Sequence, residues 1–290
     1  MKTVWVFPGQ GSQVVGMGVD LAKSEIGKSR LEQAQDILGW SVLEKCQGDE
    51  TELSNTLYTQ PCLYVIESIL GDLLVEKGKL PDLVTGHSLG EYSALYIAGA
   101  FQFATGLQLV KRRAELMSNA SGGKMVALMK FDRQKLEEAI ATLDNVVLAN
   151  DNSDQQVVIS GTPEAVDQLC SQVKPKRAIP LKVSGAFHSP LMATAAVKFQ
   201  ELLESYDFSE AKIPVLSNVD PTPTTSKTAL KSRLIKQMTG TVRWREIMLT
   251  LPQVGMTDGI EVGPGKVLTG LIKRACKGLE MRNVSSLEEL

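Results

Sequence analysis

Blocks of apolar residues, separated by short polar stretches, predict alternating strands and helices in the first part of the chain. The apolar run TVWVF at residues 3–7 ends at Pro8 and Gly9, which is typical of a short buried strand. Residues 60–78 repeat apolar side chains every three or four positions, and this spacing predicts a helix. The stretch PDLVTG then predicts a second strand, and SLGEYSALYIAGA predicts a helix. Another helix is predicted in ATGLQLVKRRAELMSNASGG, which ends in a pair of glycines.

The order of the elements changes between residues 123 and 186. A strand, a helix, two strands, a helix and a strand are predicted there, in MVALM, RQKLEEAIATL, NVVLAN, QVVIS, PEAVDQLCSQV and RAIPLKV. This β-α-β-β-α-β order is that of a ferredoxin-like unit. We therefore predict a small ferredoxin-like domain at residues 123–186, inserted into a larger domain formed by residues 1–122 and 187–290.

After the insert, the chain returns to single strands that alternate with helices. We predict a helix after HSPLM, a strand at IPVLSN, two helices, a strand at GIEVG, and a helix after Gly265. Such alternation is typical of a mostly parallel sheet that is covered by helices on both faces. The predicted fold class is α/β.

Composition and charge narrow the classes of function. The 290 residues are 43% hydrophobic and 22% charged, and the net charge of -2 gives no sign of a nucleic-acid or membrane-surface partner. The N-terminal residues are too few in apolar side chains for a signal peptide, and no stretch is long enough to span a bilayer. The 4 cysteines are scattered and form no Cys-x-x-Cys motif, so we expect no disulfide framework, no metal site and a cytoplasmic location.

The motif GHSLG at residues 86–90 makes Ser88 a candidate nucleophile. A Gly-x-Ser-x-Gly motif is a weak signal by itself, but here a predicted strand precedes it and a predicted helix follows it. A nucleophile elbow requires this context, and it places the N–H of Leu89 as an oxyanion donor. The alternative is that Ser88 only caps the following helix.

A serine nucleophile needs a base, and the chain has only 2 histidines. His87 is adjacent to Ser88, so its side chain points away from the serine on the turn. His188 lies between a predicted strand and a helix, where loops of α/β sheets collect catalytic groups. The alternative for His188 is a helix cap. No Asp or Glu stands out as a third member of a triad, and a backbone carbonyl could orient the imidazole instead.

The loop FPGQGSQ at residues 7–13 follows the first predicted strand. It fails as a dinucleotide fingerprint, because Val14 stands where the third glycine is required. The later stretch GPGKVL fails as a phosphate loop, because Val267 replaces the Ser or Thr that binds magnesium. The loop is therefore either a plain turn or a tight loop that presents the N–H of Gln10 as a second oxyanion donor.

Arg113 is predicted to face the apolar side of its helix. It lies four residues from both Leu109 and Met117, whereas Lys111 and Arg112 are spaced to pair with Glu115 on the solvent face. A guanidinium that points inward needs an anionic partner. This partner is either a buried Asp or Glu, or the carboxylate of a substrate.

Taken in order, these motifs resemble the malonyl-CoA:acyl carrier protein transacylases of fatty acid synthesis and the acyltransferase domains of polyketide synthases. The resemblance covers nearly the whole chain and rests on FPGQGSQ, TQP, GHSLGEYSAL, RAELM, QVVISG, GAFHSPLM and EVGPGKVLTGL. It implies an α/β-hydrolase-like core with a ferredoxin-like insert. It also implies no permanently bound cofactor, and two partners: a coenzyme A thioester and acyl carrier protein.

The resemblance also implies roles for individual residues. Ser88 would carry the malonyl group as an ester, His188 would be the base, and the oxyanion would lie at the backbone N–H groups of Gln10 and Leu89. Arg113 would bind the malonyl carboxylate. The remaining roles are an acyl pocket lined by Gln60 and His87, a backbone carbonyl of Gln237 that orients His188, and Phe187, which would favour malonyl over methylmalonyl.

Two stretches of the sequence depart from the usual family pattern. QMTGTVRW, which contains Gln237, departs from the usual family pattern, and Asp151 is unusual between Asn150 and Asn152. Two basic clusters could face an acidic carrier protein, at residues 174–177 and at residues 266–277. A serine esterase or thioesterase and a non-catalytic module that binds carrier protein are the alternative functions.

Overall fold

One parallel and one antiparallel β-sheet organise the residues that this computed structural model describes, which are 2–183 and 185–290. The strands of these residues are β1 (Thr3–Phe7), β2 (Leu83–Gly86), β3 (Lys124–Met129), β4 (Val146–Ser153), β5 (Gln156–Gly161), β6 (Arg177–Pro180), β7 (Val215–Leu216), β8 (Asp258–Val262) and β9 (Glu280–Val284). Their α-helices are α1 (Glu25–Leu38), α2 (Val42–Gln47), α3 (Glu50–Leu53), α4 (Thr56–Glu76), α5 (Gly90–Ile97), α6 (Phe103–Ser118), α7 (Arg133–Thr142), α8 (Pro163–Val173), α9 (Ala193–Glu204), α10 (Lys227–Gln237), α11 (Trp244–Gln253) and α12 (Val267–Ala275).

The larger sheet is parallel, with the strand order β7-β2-β1-β8-β9. Its central strand β1 is buried on both faces, which explains why its sequence is a continuous apolar run. Trp5 and Phe7 belong to one hydrophobic core, and Val4 and Val6 belong to a second core on the other face. Because successive side chains of a strand point to opposite faces, one five-residue segment joins both layers of helices.

Helix α4 is almost completely buried in the larger core. Most of its residues are buried, and it contacts α1, α5 and α6 as well as the sheet side of the core. A helix that is apolar on nearly every side belongs in the middle of a protein rather than at its surface. The apolar spacing of residues 60–78 predicted the helix, and the structure adds that its polar positions Thr59, Gln60, Glu67 and Ser68 are buried too.

The smaller sheet is antiparallel, with the strand order β4-β5-β3-β6. Helices α7 and α8 contact each other and cover a third core made of side chains from the sheet and the two helices. These elements run from residue 124 to residue 180, inside the range 123–186 predicted for the insert. The predicted α/β fold, with a mostly parallel sheet and a ferredoxin-like insert, is confirmed.

Several elements had no counterpart in the sequence-based prediction. Helices α1 to α3 lie at residues 25–53, where no element was predicted, and α1 buries only Gly27, Ala34 and Leu38. So narrow a buried stripe gives a weak periodic signal. Strand β9 was also missed, because this edge strand carries charged residues at its exposed positions. The strand predicted at IPVLSN is only two residues long.

The turn between β2 and α5 depends on two glycines. A Cβ atom on Gly90 would overlap the carbonyl oxygen of Phe7, and a Cβ atom on Gly86 would overlap the backbone of Gly90. Both glycines therefore allow the start of α5 to lie directly against the end of β1. This close approach fixes the position of Ser88 relative to the first loop of the chain.

Gly90→Ala is expected to lower the free energy of unfolding by about 3 kcal/mol, because the added methyl group forces backbone atoms apart. The matched control is Gly278→Ala, where a Cβ atom meets nothing within 4 Å. The control is expected to change the free energy of unfolding by less than about 1 kcal/mol. Urea unfolding of both variants measures the difference, and equal effects at the two glycines would contradict the close approach.

Candidate active site

Ser88 lies on a strained turn between β2 and α5. Its φ angle is 52°, in the left-handed region that non-glycine residues rarely adopt. Asn218 holds the turn: its Oδ1 accepts from Ser88 N at 2.7 Å, and its Nδ2 donates to Gly86 O at 2.6 Å. Ser88 does not cap α5, because Leu89 occupies the cap position and no side chain caps this helix end. The hydroxyl group is therefore free for other partners.

His188 meets Ser88 as the sequence predicted. The distance from Ser88 Oγ to His188 Nε2 is 2.8 Å. On the other side of the ring, Nδ1 lies 2.9 Å from Gln237 O and 3.1 Å from Gly240 O. Carbonyl oxygens only accept, so Nδ1 carries the proton and Nε2 is left to accept from the serine hydroxyl. The neighbouring 3-10 helix Pro190–Met192 is capped by Ser189, so His188 is not a helix cap.

The environment keeps the His188 imidazole neutral. Burial, followed by the positive charge of Arg113, lowers the pKa of His188 from 6.5 to about 3. Its φ angle of 56° is also left-handed, so the backbone is strained at both ends of the Ser88–His188 hydrogen bond. A neutral imidazole with a fixed tautomer can take a proton from the serine hydroxyl.

Arg113 points into the same place and is almost completely buried. Its Nη1 donates to Gln60 Oε1 at 2.7 Å, and its Nη2 donates to Ser88 Oγ at 3.0 Å and to Gln237 Oε1 at 3.1 Å. Within the described residues no Asp or Glu forms a salt bridge with it, so a directly paired buried carboxylate is not what the structure has. Buried Glu91 acts on the guanidinium only from beyond direct contact. Among the described residues, the hydrogen-bond acceptors of the guanidinium are neutral oxygens, and its carbon atom lies 5.4 Å from the centroid of the Tyr92 ring.

The other two basic residues of this helix face outward. Arg112 pairs with Glu115 at 2.9 Å, as predicted. Lys111 was predicted to pair with the same Glu115, and this prediction was wrong: Lys111 Nζ donates to the carbonyl oxygen of Ile37 at 2.8 Å. Helix α1, which the sequence-based prediction had missed, brings that carbonyl within reach.

A cavity opens beside the Ser88 hydroxyl, between the large domain and the insert. It is lined by residues from the loops and helices next to the parallel sheet and by residues from the insert. These are Gln10, Gln60, His87, Ser88, Leu89, Arg113, Met117, Met125, Asn150, Leu181, Val183, Phe187 and His188. Every site residue named from the sequence lines this cavity except Gln237, which contacts Arg113, Ser88 and His188 from behind.

Gln10 and Leu89, whose backbone N–H groups are the expected oxyanion donors, both line the cavity. Among the hydrogen bonds of the described residues, neither Gln10 N nor Leu89 N donates to another protein group. The Gln10 side chain is held aside by a 3.0 Å hydrogen bond from Nε2 to Thr56 Oγ1. A Cβ atom on Gly9 would overlap the carbonyl oxygen of His87, so this glycine lets the two loops touch.

His87 and Phe187 complete the cavity wall. His87 Nε2 lies 2.8 Å from Asn152 Oδ1, and its ring centroid is 5.5 Å from that of Trp244, so the side chain points away from Ser88 as expected. Burial lowers the pKa of His87. Phe187 is 5% exposed. Asn152 thus fixes His87, and this assigns a contact to one of the two asparagines that the sequence left open.

Asp151, between these asparagines, joins the insert to the large domain. Its carboxylate lies 2.8 Å from Arg133 Nη2 of α7 and 3.0 Å from Arg245 Nε of α11. The backbone of this segment also pairs with Val242, through hydrogen bonds at Asp151 N and Ala149 O. The carboxylate that is unusual at this position is therefore the centre of an interdomain ion pair.

Sequence reasoning missed two further residues at the site, Asn218 and Glu91. Asn218 follows the short strand β7, where no motif marks it. Glu91 is part of GHSLGEYSAL and is fully buried next to Gln237. In the described residues no group of three or more His, Cys, Asp or Glu is arranged to hold a metal ion. None of the helices described is both long and apolar enough to cross a bilayer.

Comparison with known proteins adds sequence and structural relatives. Residues 4–288 match the acyl transferase domain family. The malonyl CoA-acyl carrier protein transacylase of Synechocystis sp. PCC 6803 is 61% identical over 290 residues, which is 100% of this chain and 99% of the relative. The crystal structure of that transacylase superposes with a TM-score of 0.98, again over 100% of this chain and 99% of the other.

A second solved structure contains a carrier protein. It is the complex of a type II polyketide synthase acyl-carrier protein with its malonyl-transacylase. The matching chain of that complex superposes with a TM-score of 0.94 and is 37% identical, over 100% of this chain and 97% of the other. With one relative 61% identical along its whole length and a family match from residue 4 to residue 288, this chain belongs to the acyl transferase family.

Proposed function

We propose that this enzyme transfers the malonyl group from malonyl-CoA to the phosphopantetheine thiol of acyl carrier protein, through an ester on Ser88. The observation that carries the proposal is the position of Arg113, whose guanidinium is buried, lacks a carboxylate partner among the described residues, and lies 3.0 Å from the Ser88 hydroxyl. An acyl group that carries its own carboxylate fits this arrangement. The relatives named for malonyl transfer support the same conclusion.

In the first half-reaction, Ser88 Oγ attacks the thioester carbonyl while His188 Nε2 takes the hydroxyl proton. The carbonyl oxygen becomes an oxyanion, which accepts from the N–H groups of Gln10 and Leu89. When the carbon–sulfur bond breaks, the coenzyme A thiolate leaves and takes the proton from His188. The products are free coenzyme A and malonyl-Ser88.

In the second half-reaction, the thiol of the carrier protein replaces coenzyme A. His188 takes the thiol proton, the thiolate attacks the ester carbonyl, and the same two N–H groups hold the oxyanion. The ester bond then breaks, and the proton moves from His188 to Ser88 Oγ. The serine is restored. The same groups therefore serve both half-reactions, and no cofactor has to remain bound.

The cavity walls select the acyl group. Arg113 offers two N–H donors to a carboxylate, which an acetyl group lacks. Phe187 lies beside His188 in the cavity wall. There it would occupy the space that the extra methyl group of methylmalonyl needs. One methyl group is worth about 1–3 kcal/mol of discrimination, so Phe187 produces a preference rather than complete exclusion.

Incubation with labelled malonyl-CoA is expected to yield one malonyl group per chain on Ser88, detected by mass spectrometry of the intact protein and its peptides. Ser88→Ala removes the only acceptor and is expected to yield no adduct. Adding holo acyl carrier protein should move the label to the carrier. A label that appears mainly as free malonate would favour the thioesterase alternative, and the absence of any adduct on the wild-type protein would contradict the proposal.

Arg113→Ala is expected to lower kcat/KM for malonyl transfer by about a hundredfold, because a hydrogen bond to a charged group is worth ~1.5–3 kcal/mol. Transfer of acetyl, which has no carboxylate, should be unchanged or faster. Arg112→Ala is the matched control, since this neighbour faces solvent and pairs with Glu115. Parallel loss of malonyl and acetyl transfer in Arg113→Ala would indicate a structural role instead.

The pH dependence of the first half-reaction tests the state of His188. A base with the ordinary pKa of about 6.5 would be mostly protonated at pH 5, and kcat/KM would fall about thirtyfold between pH 8 and pH 5. Because the pKa of His188 is lowered to about 3, we expect kcat/KM for malonyl-CoA to stay nearly flat over this range. A fall with a midpoint near pH 6.5 would contradict a neutral buried base.

The same pKa shift predicts the sign of a stability change. The folded-state pKa of His188 lies below its unfolded value, so the neutral imidazole contributes stability that is fully present above pH 6.5 and is lost as pH falls toward 3. His188→Gln removes this contribution. Urea unfolding at pH 7.5 and at pH 5 measures the difference. Between these two pH values, the free energy of unfolding should fall more for the wild type than for His188→Gln.

A further inference from the structure

Glu91 is a buried carboxylic acid that the proposed reaction does not use. It lies in the first turn of α5, three residues after Ser88, and none of its surface is exposed. Its Oε2 accepts from Gln237 Nε2 at 2.8 Å and from Asn218 N at 3.1 Å. Oε1 has no hydrogen-bond partner among the described residues. Burying such a group is costly, so its contacts merit a functional explanation.

These contacts fix the orientation of the Gln237 amide. Nε2 donates to Glu91 Oε2 and to Ser88 O, each at 2.8 Å, and Oε1 accepts from Arg113 Nη2 at 3.1 Å. The guanidinium can only donate and the Ser88 carbonyl can only accept. Oε2 of Glu91 is an acceptor in either protonation state, since a proton would lie on the unpartnered Oε1. A flipped amide would place a donor opposite the Arg113 donor, and an acceptor opposite the acceptors of Ser88 and Glu91.

The amide also separates Glu91 from Arg113. The hydrogen-bond acceptors of the guanidinium are Gln60 Oε1, Ser88 Oγ and Gln237 Oε1, and none of them is charged. The uncharged ring of Tyr92 is a further contact, with its centroid 5.4 Å from the guanidinium carbon. If Glu91 reached Arg113 directly, a bidentate ion pair would occupy the donors that an acidic substrate needs. Gln237 transmits the position of Glu91 to Arg113 while leaving the guanidinium without an ionic partner.

We propose that Glu91 is a positioning residue: by fixing the Gln237 amide, it holds Arg113 next to Ser88 and keeps the guanidinium available for an acyl group that carries a carboxylate. This inference rests on the proposed function and explains how its selectivity is maintained. It predicts that loss of Glu91 affects malonyl more than acetyl, because only malonyl depends on the position of Arg113.

A double-mutant cycle tests the inference. Glu91→Met and Gln237→Met remove the two ends of the Glu91–Gln237 hydrogen bond but keep side-chain length, and Gln237→Met keeps the backbone carbonyl that accepts from His188. The measured quantity is the ratio of kcat/KM for acylation of Ser88 by malonyl-CoA to that by acetyl-CoA. The matched control is Glu67→Met, which removes another fully buried glutamate, one that contacts Ser93 and not the site.

Each single variant at positions 91 and 237 is expected to lower the malonyl-to-acetyl ratio about tenfold, the size expected for one hydrogen bond to a charged group. The double variant should lower it no further, because both changes break one connection. Glu91→Gln keeps an acceptor and should stay within about threefold of the wild type. Glu67→Met should leave the ratio unchanged, whatever it does to stability.

Three results would overturn the inference: additive effects in the double variant, an unchanged ratio in Glu91→Met, or equal loss in Glu91→Met and Glu91→Gln. If Glu91→Met does not fold, the double variant Glu91→Gln/Gln237→Met takes the place of the double methionine variant. Its malonyl-to-acetyl ratio must then not be lower than that of Gln237→Met alone. A wild-type protein that forms no malonyl ester would instead reject the proposed function, so the two failures are distinguishable.

Discussion

The hydrogen bond between Ser88 and His188 joins residues one hundred positions apart, and much of the surrounding structure serves to hold its two ends. Both residues have left-handed φ angles, which cost of order 1–2 kcal/mol each for a non-glycine residue. At the serine end, Asn218 binds the backbone on both sides of the turn. At the histidine end, the carbonyl oxygens of Gln237 and Gly240 hold the ring. These contacts offset strain that neither residue would accept in isolation.

Electrostatics then gives the pair its chemical character. Two basic side chains share the Ser88 hydroxyl, with Nε2 of His188 at 2.8 Å and Nη2 of Arg113 at 3.0 Å. A guanidinium does not lose its proton, so the imidazole is the group that remains neutral. Burial, and after it the positive charge of Arg113, keeps His188 a free base, and the same charge would attract an acidic acyl group. If an acidic acyl group binds at Arg113 as proposed, its carboxylate would offset the charge of Arg113, and His188 would then accept a proton more readily than in the free enzyme.

The insert contributes part of the cavity and is fastened to the large domain by charge and by backbone. Asp151 lies between Arg133 and Arg245, from the two domains, and Val242 pairs with the β4 backbone beside it. This attachment places Asn152 against His87 and brings Asn150 and Leu181 to the cavity wall. The geometry of the cavity therefore depends on contacts that lie outside it.

The sequence alone determined the elements whose pattern is strong. The apolar run of β1, the periodic residues of α4 and the β-α-β-β-α-β order of the insert follow from local rules of side-chain periodicity, and the structure agrees with them. Helices α1 to α3 and the edge strand β9 were not predicted. Their many exposed polar residues leave too few apolar positions to show a period. Ser88 and its flanking glycines were recognisable for a similar reason, since a strand, a sharp turn and a helix follow one another directly.

The tertiary structure alone decided which groups meet. The sequence marked Arg113 as inward-facing but left its partner open, and the fold supplied neutral oxygens where a buried carboxylate was an alternative. Asn218 and Glu91 carried no usable signal, because their roles depend on residues more than a hundred positions away. Periodicity reports what one residue does within its own element. Which distant side chains share a cavity, and at what distance, is set only when the sheets and helices pack together.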